Sequence, residues 1–206
     1  KVGRFIALTN KNRDNPISDT PRRALDKFEL IRDGHVTHAC FLLFMDGESS
    51  LTTIELGRFQ TETIIKDGVR LKTDLFSEVE SVLAFIKKHI NKNIIVTGEP
   101  QHREEWEYPI DALREIIINA IIHRDYSLSS DSVIKVFDDR IECYNPGKLP
   151  AGLTVEMLIL GDYVSSPRNK KVADMFKEAG LIEKYGSGIK RIFDTFKAAG
   201  AKSPLL

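Results

Sequence analysis

The sequence predicts an α/β fold: a C-terminal two-layer sandwich with helices on one face of a mixed sheet, preceded by a smaller α/β segment. Three observations predict it. Residues 111–126, DALREIIINAIIHRDY, are apolar nearly all round at helical spacing, the mark of a buried helix. Directly after it, residues 132–137 and 140–144 are β-rich runs joined at Asp138-Asp139, a hairpin signal. On either side lie amphipathic helices, one at 74–90 and one opened by Gly186-Ser187-Gly188.

In chain order, residues 1–5 open mid-pattern, as though a strand had been cut. Residues 7–20 (ALTNKNRDNPISDT) are polar and turn-forming, so positions 1–20 read as a linker or extended arm. Thr20 and Pro21 then supply an N-cap and a first-turn proline for a short helix with Ala24, Leu25 and Phe28 on one face. Residues 38–44, HACFLLF, read as a buried strand closed by a turn at Asp46-Gly47. A second strand over 52–59 carries Gly57 at a bulge position, and Lys66-Asp67-Gly68 marks another turn. The helix at 74–90 turns Val79, Val82, Leu83, Phe85 and Ile86 inward and ends on basic residues. A short strand at 93–97 and a polar stretch at 99–107 follow. These elements compose a segment at 21–100, ahead of a domain at 101–206. In that domain the buried helix and hairpin lead to the tight turn Asn145-Pro146-Gly147 and a connection through Gly152. A short helix at 154–160 is capped by Thr154, and a helix at 170–179 is stopped by Gly180. The last helix has the face Ile189, Ile192, Phe193, Phe196 and ends at Gly200.

At 206 residues, with 42% hydrophobic and 29% charged positions, the chain can bury a proper core and fits one or two domains. Thirty basic residues balance thirty acidic ones, so no global field draws the protein to nucleic acid or an anionic membrane. No apolar run approaches the roughly 20 residues of a bilayer span, and no signal peptide opens the chain. Cys40 and Cys143 lie in apolar runs and read as reduced, buried thiols, which favours the cytoplasm. His35 and His38 lack a third ligand nearby and read as surface histidines.

The helix at 111–126 stacks Glu115, Asn119 and His123 at i, i+4 and i+8. This stripe runs between a face of Leu113, Ile116, Ile117, Ala120 and Ile121 and a face of Ile118 and Ile122. Burying a carboxylate, an amide and an imidazole is costly unless each meets a partner, so the stripe is expected to face something other than apolar core. A nucleotide with its metal ion is such a partner. The Asn119 amide oxygen suits Mg2+, a hard cation that takes oxygen ligands. Glu115, one turn away, suits orienting or deprotonating a water aimed at a terminal phosphate. Gly186 and Gly188 let the backbone and the positive end of the last helix approach phosphate. Singly these signals are weak, since a GxG before a helix is commonly a turn and cap and NPG is a generic turn; their order and spacing make the set. His123, Arg124 and Asp125 have no paired serine or cysteine nucleophile. They read as a supporting helix-end network, with His123 or Arg124 near phosphate as the alternative.

That order resembles the GHKL family of ATP-binding proteins, which includes gyrase-type topoisomerases, histidine kinases and MutL. Glu115-x-x-x-Asn119 is similar to the N box, Asn145-x-Gly147 to the first glycine box and Gly186-x-Gly188 to the second. More closely, REIIINAIIHRDYS, FDDRIECYNPGKLPAGLT, SSPRNKKVADMF and IEKYGSGIKRI resemble the C-terminal half of RecG-related transcriptional regulators of the Schlafen/Alba type. DGHVTHACFLLF and IELGRF resemble the segment those proteins carry before it. The resemblance implies a GHKL-type sandwich that binds ATP and Mg2+, with Asn119 as the magnesium ligand and Glu115 as the candidate base. Gly147 would let the base approach the backbone, and residues 150–185 would be the lid. Arg168 and Asn169 would touch phosphate or a dimer partner, or else form a capped helix start with surface charge. Asn145 departs from the family's aspartate, which accepts from the adenine amino group; an amide also donates, which leaves adenine and guanine both open. The Alba/Schlafen-type domain that precedes this region in the family and the winged helix that follows it are not read here, so the sequence reads as a fragment. No GxxxxGK[ST] loop occurs, which excludes a helicase motor.

The function so implied is an ATP- and Mg2+-binding regulatory domain of a cytoplasmic prokaryotic transcriptional regulator, with at most weak ATPase activity. Nucleotide occupancy would order the lid and modulate homodimerisation, or DNA binding by attached domains. The rival reading is a degenerate GHKL scaffold that binds no nucleotide and serves as a dimerisation or interaction platform. Hydrolysis coupled to work on DNA stands last, given the balanced charge and missing motor motifs.

Overall fold

The computed structural model describes residues 1–11, 13–95, 103–182 and 188–206. In chain order its elements are α1 (Val2–Asn10), α2 (Pro21–Lys27), β1 (Ile31–Arg32), β2 (His35–Val36), α3 (His38–Phe44), β3 (Ile54–Thr61), β4 (Ile64–Leu71), α4 (Leu75–His89), β5 (Lys92–Ile95), β6 (Arg103–Trp106), α5 (Ile110–His123), β7 (Ser132–Val136), β8 (Ile141–Tyr144), α6 (Val155–Leu160), α7 (Lys170–Glu178) and α8 (Gly188–Ala198). β3 pairs antiparallel with β4 and parallel with β7, and β7 pairs antiparallel with β8, giving one mixed sheet in the order β4-β3-β7-β8. A parallel neighbour requires a long crossover, and α4 and α5 lie within the one between β3 and β7.

Alternation shows which face of the sheet is covered. On β7, Ser132, Ile134 and Val136 are buried while Val133 and Lys135 are not, and on β3 Ile54 and Leu56 are buried. These side chains share one core with Val79, Val82, Leu83 and Ile86 of α4 and Leu113, Ile117, Ile118 and Ile121 of α5. The architecture is therefore the expected α/β sandwich of helices on one face of a mixed sheet. Local caps explain several element starts. The Thr20, Asp74 and Thr154 side chains each accept from a backbone N–H in the first turn of α2, α4 and α6. Among the described residues no helix is long and apolar enough to cross a membrane.

Other local expectations are corrected. Residues 38–44 are helix α3 rather than a strand: the Thr37 hydroxyl accepts from the Cys40 amide at 3.2 Å and donates to the Leu30 carbonyl at 3.1 Å. A short apolar run does not separate strand from helix by periodicity, and here the cap decides. Residues 2–10 are helix α1, not an arm or a cut strand. Its Phe5 is 3% exposed and lies 5.6, 5.5 and 5.6 Å, ring to ring, from Phe28, Phe44 and Phe76. Lys66-Asp67-Gly68 runs inside β4, where the Asp67 carboxylate accepts from Lys88 at 2.6 Å and meets His89 at 2.9 Å at the end of α4. Gly57 pairs regularly with Gly68, and the irregularity falls between Arg58 and Thr61. Cys40 is buried in a helix, while Cys143 is exposed on the edge strand β8 instead of buried.

Because Thr37 both caps α3 and ties it to the Leu30 carbonyl, Thr37→Ala is expected to lose about 1–2 kcal/mol of stability. Urea unfolding monitored by circular dichroism measures it; an unchanged midpoint would mean the cap contributes nothing.

Candidate functional site

Helix α5 is held between two apolar surfaces. Leu113, Ile117, Ile118, Ile121 and Ile122 belong to the main core, whereas Ala112 forms a second, smaller cluster with Ile192 and Phe196 of α8. The stripe Glu115, Asn119, His123 is left to meet polar groups. It spans roughly 12 Å along the axis at the helical rise. Different parts of the chain answer its two ends.

At the N-terminal end, Glu115 is 8% exposed. Its Oε2 accepts from Arg191 Nη2 at 2.8 Å, and its Oε1 accepts from Asn119 Nδ2 at 3.4 Å. Gly188, the first residue of α8, sits directly on this pair. A Cβ there would lie 2.2 Å from Glu115 Oε1 and 3.4 Å from Asn119 Nδ2, so a side chain at this position would displace the Glu115 carboxylate. A cleft of about 350 Å³ opens beside Glu115, bounded by Asp111, Leu181, Ile182, Arg191 and Thr195.

At the C-terminal end, α5 runs out under other elements, and its last carbonyls need partners. Asn145, just after β8, donates Nδ2 to the Ala120 carbonyl at 2.9 Å while its Oδ1 accepts from the Ser132 hydroxyl at 2.9 Å. The Tyr126 hydroxyl donates to the Ile121 carbonyl at 3.1 Å. Asn169, just before α7, donates Nδ2 to the carbonyls of Ile122 at 3.1 Å and Arg124 at 2.8 Å. Arg168 donates to Asp125 at 3.1 Å and to the Lys148 carbonyl at 2.9 Å. Gly147 packs against both of its neighbours here: at φ 128° its added Cβ would be 3.4 Å from Asp125 Cβ and 3.6 Å from Arg168 Nη2. His123 is half-buried, and burial together with the Arg168 charge lowers its pKa, so its ring is neutral at pH 7.

Arg124 is 3% exposed and donates to the Thr53 carbonyl at 2.8 Å and the Ser130 carbonyl at 3.3 Å, joining α5 to the approaches of β3 and β7. Below it lies Glu78 of α4, 2% exposed. Burial pushes the Glu78 carboxyl up to about 8; the Arg124 charge opposes this and the Asp74 carboxylate adds to it.

The structure thus brings Glu115, Asn119 and Gly188 together at one end of the stripe. Asn145, Gly147, Arg168, Asn169, His123 and Arg124 gather at the other. Gly186 lies outside the described residues. Arg191, Ser132 and Glu78 belong to the site's framework and were not anticipated. Arg191 had one readable signal: three residues after Gly188 on a helix, it shares the face that Gly188 turns to α5. Among the described residues no group of three or more His, Cys, Asp or Glu could hold a metal ion.

Residues 130–206 match the protein family described as "Putative ATP-dependent DNA helicase recG C-terminal". The match takes in the β7-β8 hairpin, the NPG turn and α6 to α8, and leaves α5 with Glu115 and Asn119 outside. Among solved structures, the DIP2311 protein from Corynebacterium diphtheriae is similar over 98% of this chain, with a TM-score of 0.79 and 25% identity. The chain spans 42% of that protein's length. No curated protein matches the chain.

Two outcomes follow from the end of α5. Asn169→Ala leaves the Arg124 carbonyl without this donor, while the Ile122 carbonyl keeps the backbone amide of residue 169 at 3.0 Å, and is expected to cost about 1–3 kcal/mol in denaturant unfolding, with no gain of helix elsewhere. For Glu78 the folded pKa of about 8 exceeds the ordinary 4.5, so the unfolded chain ionises first. The Glu78 contribution therefore lowers stability as pH rises from about 4.5 to 8, with no further change above. Glu78→Gln is expected to flatten Tm against pH across that window and to raise Tm at pH 8. A parallel shift of the whole curve would mean that Glu78 is already ionised at neutral pH.

Proposed function

We propose that residues 101–206 act as an ATP- and Mg2+-binding regulatory domain of a longer cytoplasmic regulator. In this reading nucleotide occupancy orders the segment between α6 and α8 and modulates homodimerisation or DNA binding by attached domains. One observation carries the reading: a carboxylate and an amide, Glu115 and Asn119, lie side by side on a buried helix against a glycine of α8 whose Cβ would displace the carboxylate. The ATP-dependent description of the family matched by residues 130–206 supports it.

The donor chemistry fits both groups. Asn119 turns its nitrogen to Glu115, so its amide oxygen is the atom left to hold Mg2+, which commonly takes one or two protein oxygens and completes its shell with water and phosphate. When bound, the ion supplies charge neutralisation to the phosphates. Glu115 would orient an attacking water, and with Arg191 already on its carboxylate, turnover is slow. At the other end, the Ala120 carbonyl only accepts, so it fixes the Asn145 amide with nitrogen toward α5. Oδ1 is then the acceptor and, beyond the bond from Ser132, keeps a lone pair. It accepts as a carboxylate oxygen does, which suits an adenine amino group and not a guanine carbonyl.

A second reading, a platform that binds no nucleotide, is favoured by the engagement of Asn145, Arg168 and Asn169 in bonds that hold the end of α5. One titration separates the two. Calorimetry with a non-hydrolysable ATP analogue and Mg2+ is expected to show saturable heat, with the guanine analogue at least about tenfold weaker, or about 1.4 kcal/mol. Asn119→Ala is expected to abolish the Mg2+ dependence. Absence of heat with either analogue would establish the platform instead.

A further inference from the structure

We infer that the first turn of α8 is a self-closing latch over α5: Arg191 and Gly188 close on the Glu115–Asn119 pair, and a ligand that bonds the pair in their place must first displace them. The closure is tight, because a Cβ on Gly188 would come within 2.2 Å of Glu115 Oε1 and 3.2 Å of its Cδ. No ligand atom fits between. It is also chemically complete. One oxygen of the Glu115 carboxylate takes the Arg191 guanidinium at 2.8 Å and the other takes the Asn119 amide at 3.4 Å. The chain thereby satisfies the stripe with its own groups, which a buried carboxylate requires.

The way α8 is anchored lets it move without opening the fold. Its Ile192 and Phe196 pack with Ala112 in a cluster separate from the main core, in which the sheet, α4, α7 and most of α5 meet. A cluster separate from the main core can open without it. The ion pair adds to what keeps the turn down: Glu115 is 10% exposed at its side chain and Arg191 39%, so the guanidinium side of the pair borders solvent.

The geometry of the latch stands without the nucleotide reading, and only its consequence for binding rests on that reading. Hydrogen exchange of the full chain without nucleotide tests the first part. Arg191→Gln is expected to speed exchange of the α8 amides about tenfold or more while leaving those of β3 and β7 unchanged. Lys197→Gln, the same charge change at an exposed position of α8, is expected to leave them all unchanged. Glu115→Gln, which keeps the shape and removes the charge, is expected to reproduce the Arg191→Gln effect, and Arg191→Lys to restore protection in part. If neither Arg191→Gln nor Glu115→Gln speeds α8 exchange, the latch is wrong. Titration with the non-hydrolysable ATP analogue and Mg2+ tests the second part. Arg191→Gln is expected to bind several-fold tighter than the native chain, and weaker binding would make Arg191 a ligand contact and overturn its closing role. Faster α8 exchange with no binding by any variant would keep the latch and remove the nucleotide reading.

Discussion

A buried helix end has carbonyls that water cannot reach, and much of this molecule is arranged around supplying them. The last turn of α5 points into protein on all sides, yet the carbonyls of Ala120, Ile121 and Ile122 each have a donor from outside the helix. Those donors come from separate stretches: Asn145 after the hairpin, Tyr126 just past the helix, and Asn169 at the entry to α7. An unmet carbonyl in such a place costs about 1–3 kcal/mol. The NPG turn and the start of α7 are therefore fastened to α5 by the same requirement. With α5 fixed, the sheet and α4 have a common surface to close on.

The other end of α5 meets the same need in a different way. Glu115 takes Arg191 from α8 as a partner and Asn119 bonds Glu115, and α8 packs on α5 through a small apolar cluster of its own. One end of the polar stripe is thus built into the core, while the other is covered by an element that packs outside it. A helix that is rigid at one end and conditionally covered at the other can couple occupancy of a site to the position of its neighbours.

Asn145 shows why a residue's structural and chemical roles need not compete. Its nitrogen is spent on the Ala120 carbonyl and its oxygen receives Ser132. An aspartate would place a second acceptor against that carbonyl, so the amide satisfies the helix end in a way a carboxylate could not. The same bond fixes which atom of the amide is the acceptor, which removes the donor-or-acceptor ambiguity that an isolated asparagine carries.

Residues close in sequence determined much of the layout. The buried character of α5, the hairpin signal after it, the caps at Thr20, Asp74 and Thr154 and the glycine stops after α7 and α8 depend on neighbours within a few positions, and periodicity reports them directly. The stripe of Glu115, Asn119 and His123 was legible for the same reason. Tertiary structure decided the rest. The exception is HACFLLF, whose cap at Thr37 is as local as the others but is masked by an apolar run that suits strand and helix alike, whereas residues 2–10 form a helix that packs Phe5 among three rings from later elements. The partner of Glu115 lies 76 residues away, and the donors to the end of α5 lie 25 and 47 residues from the carbonyls they serve. A hydrogen bond is set by where two atoms meet in space, and for these groups only the closed fold brings them within reach.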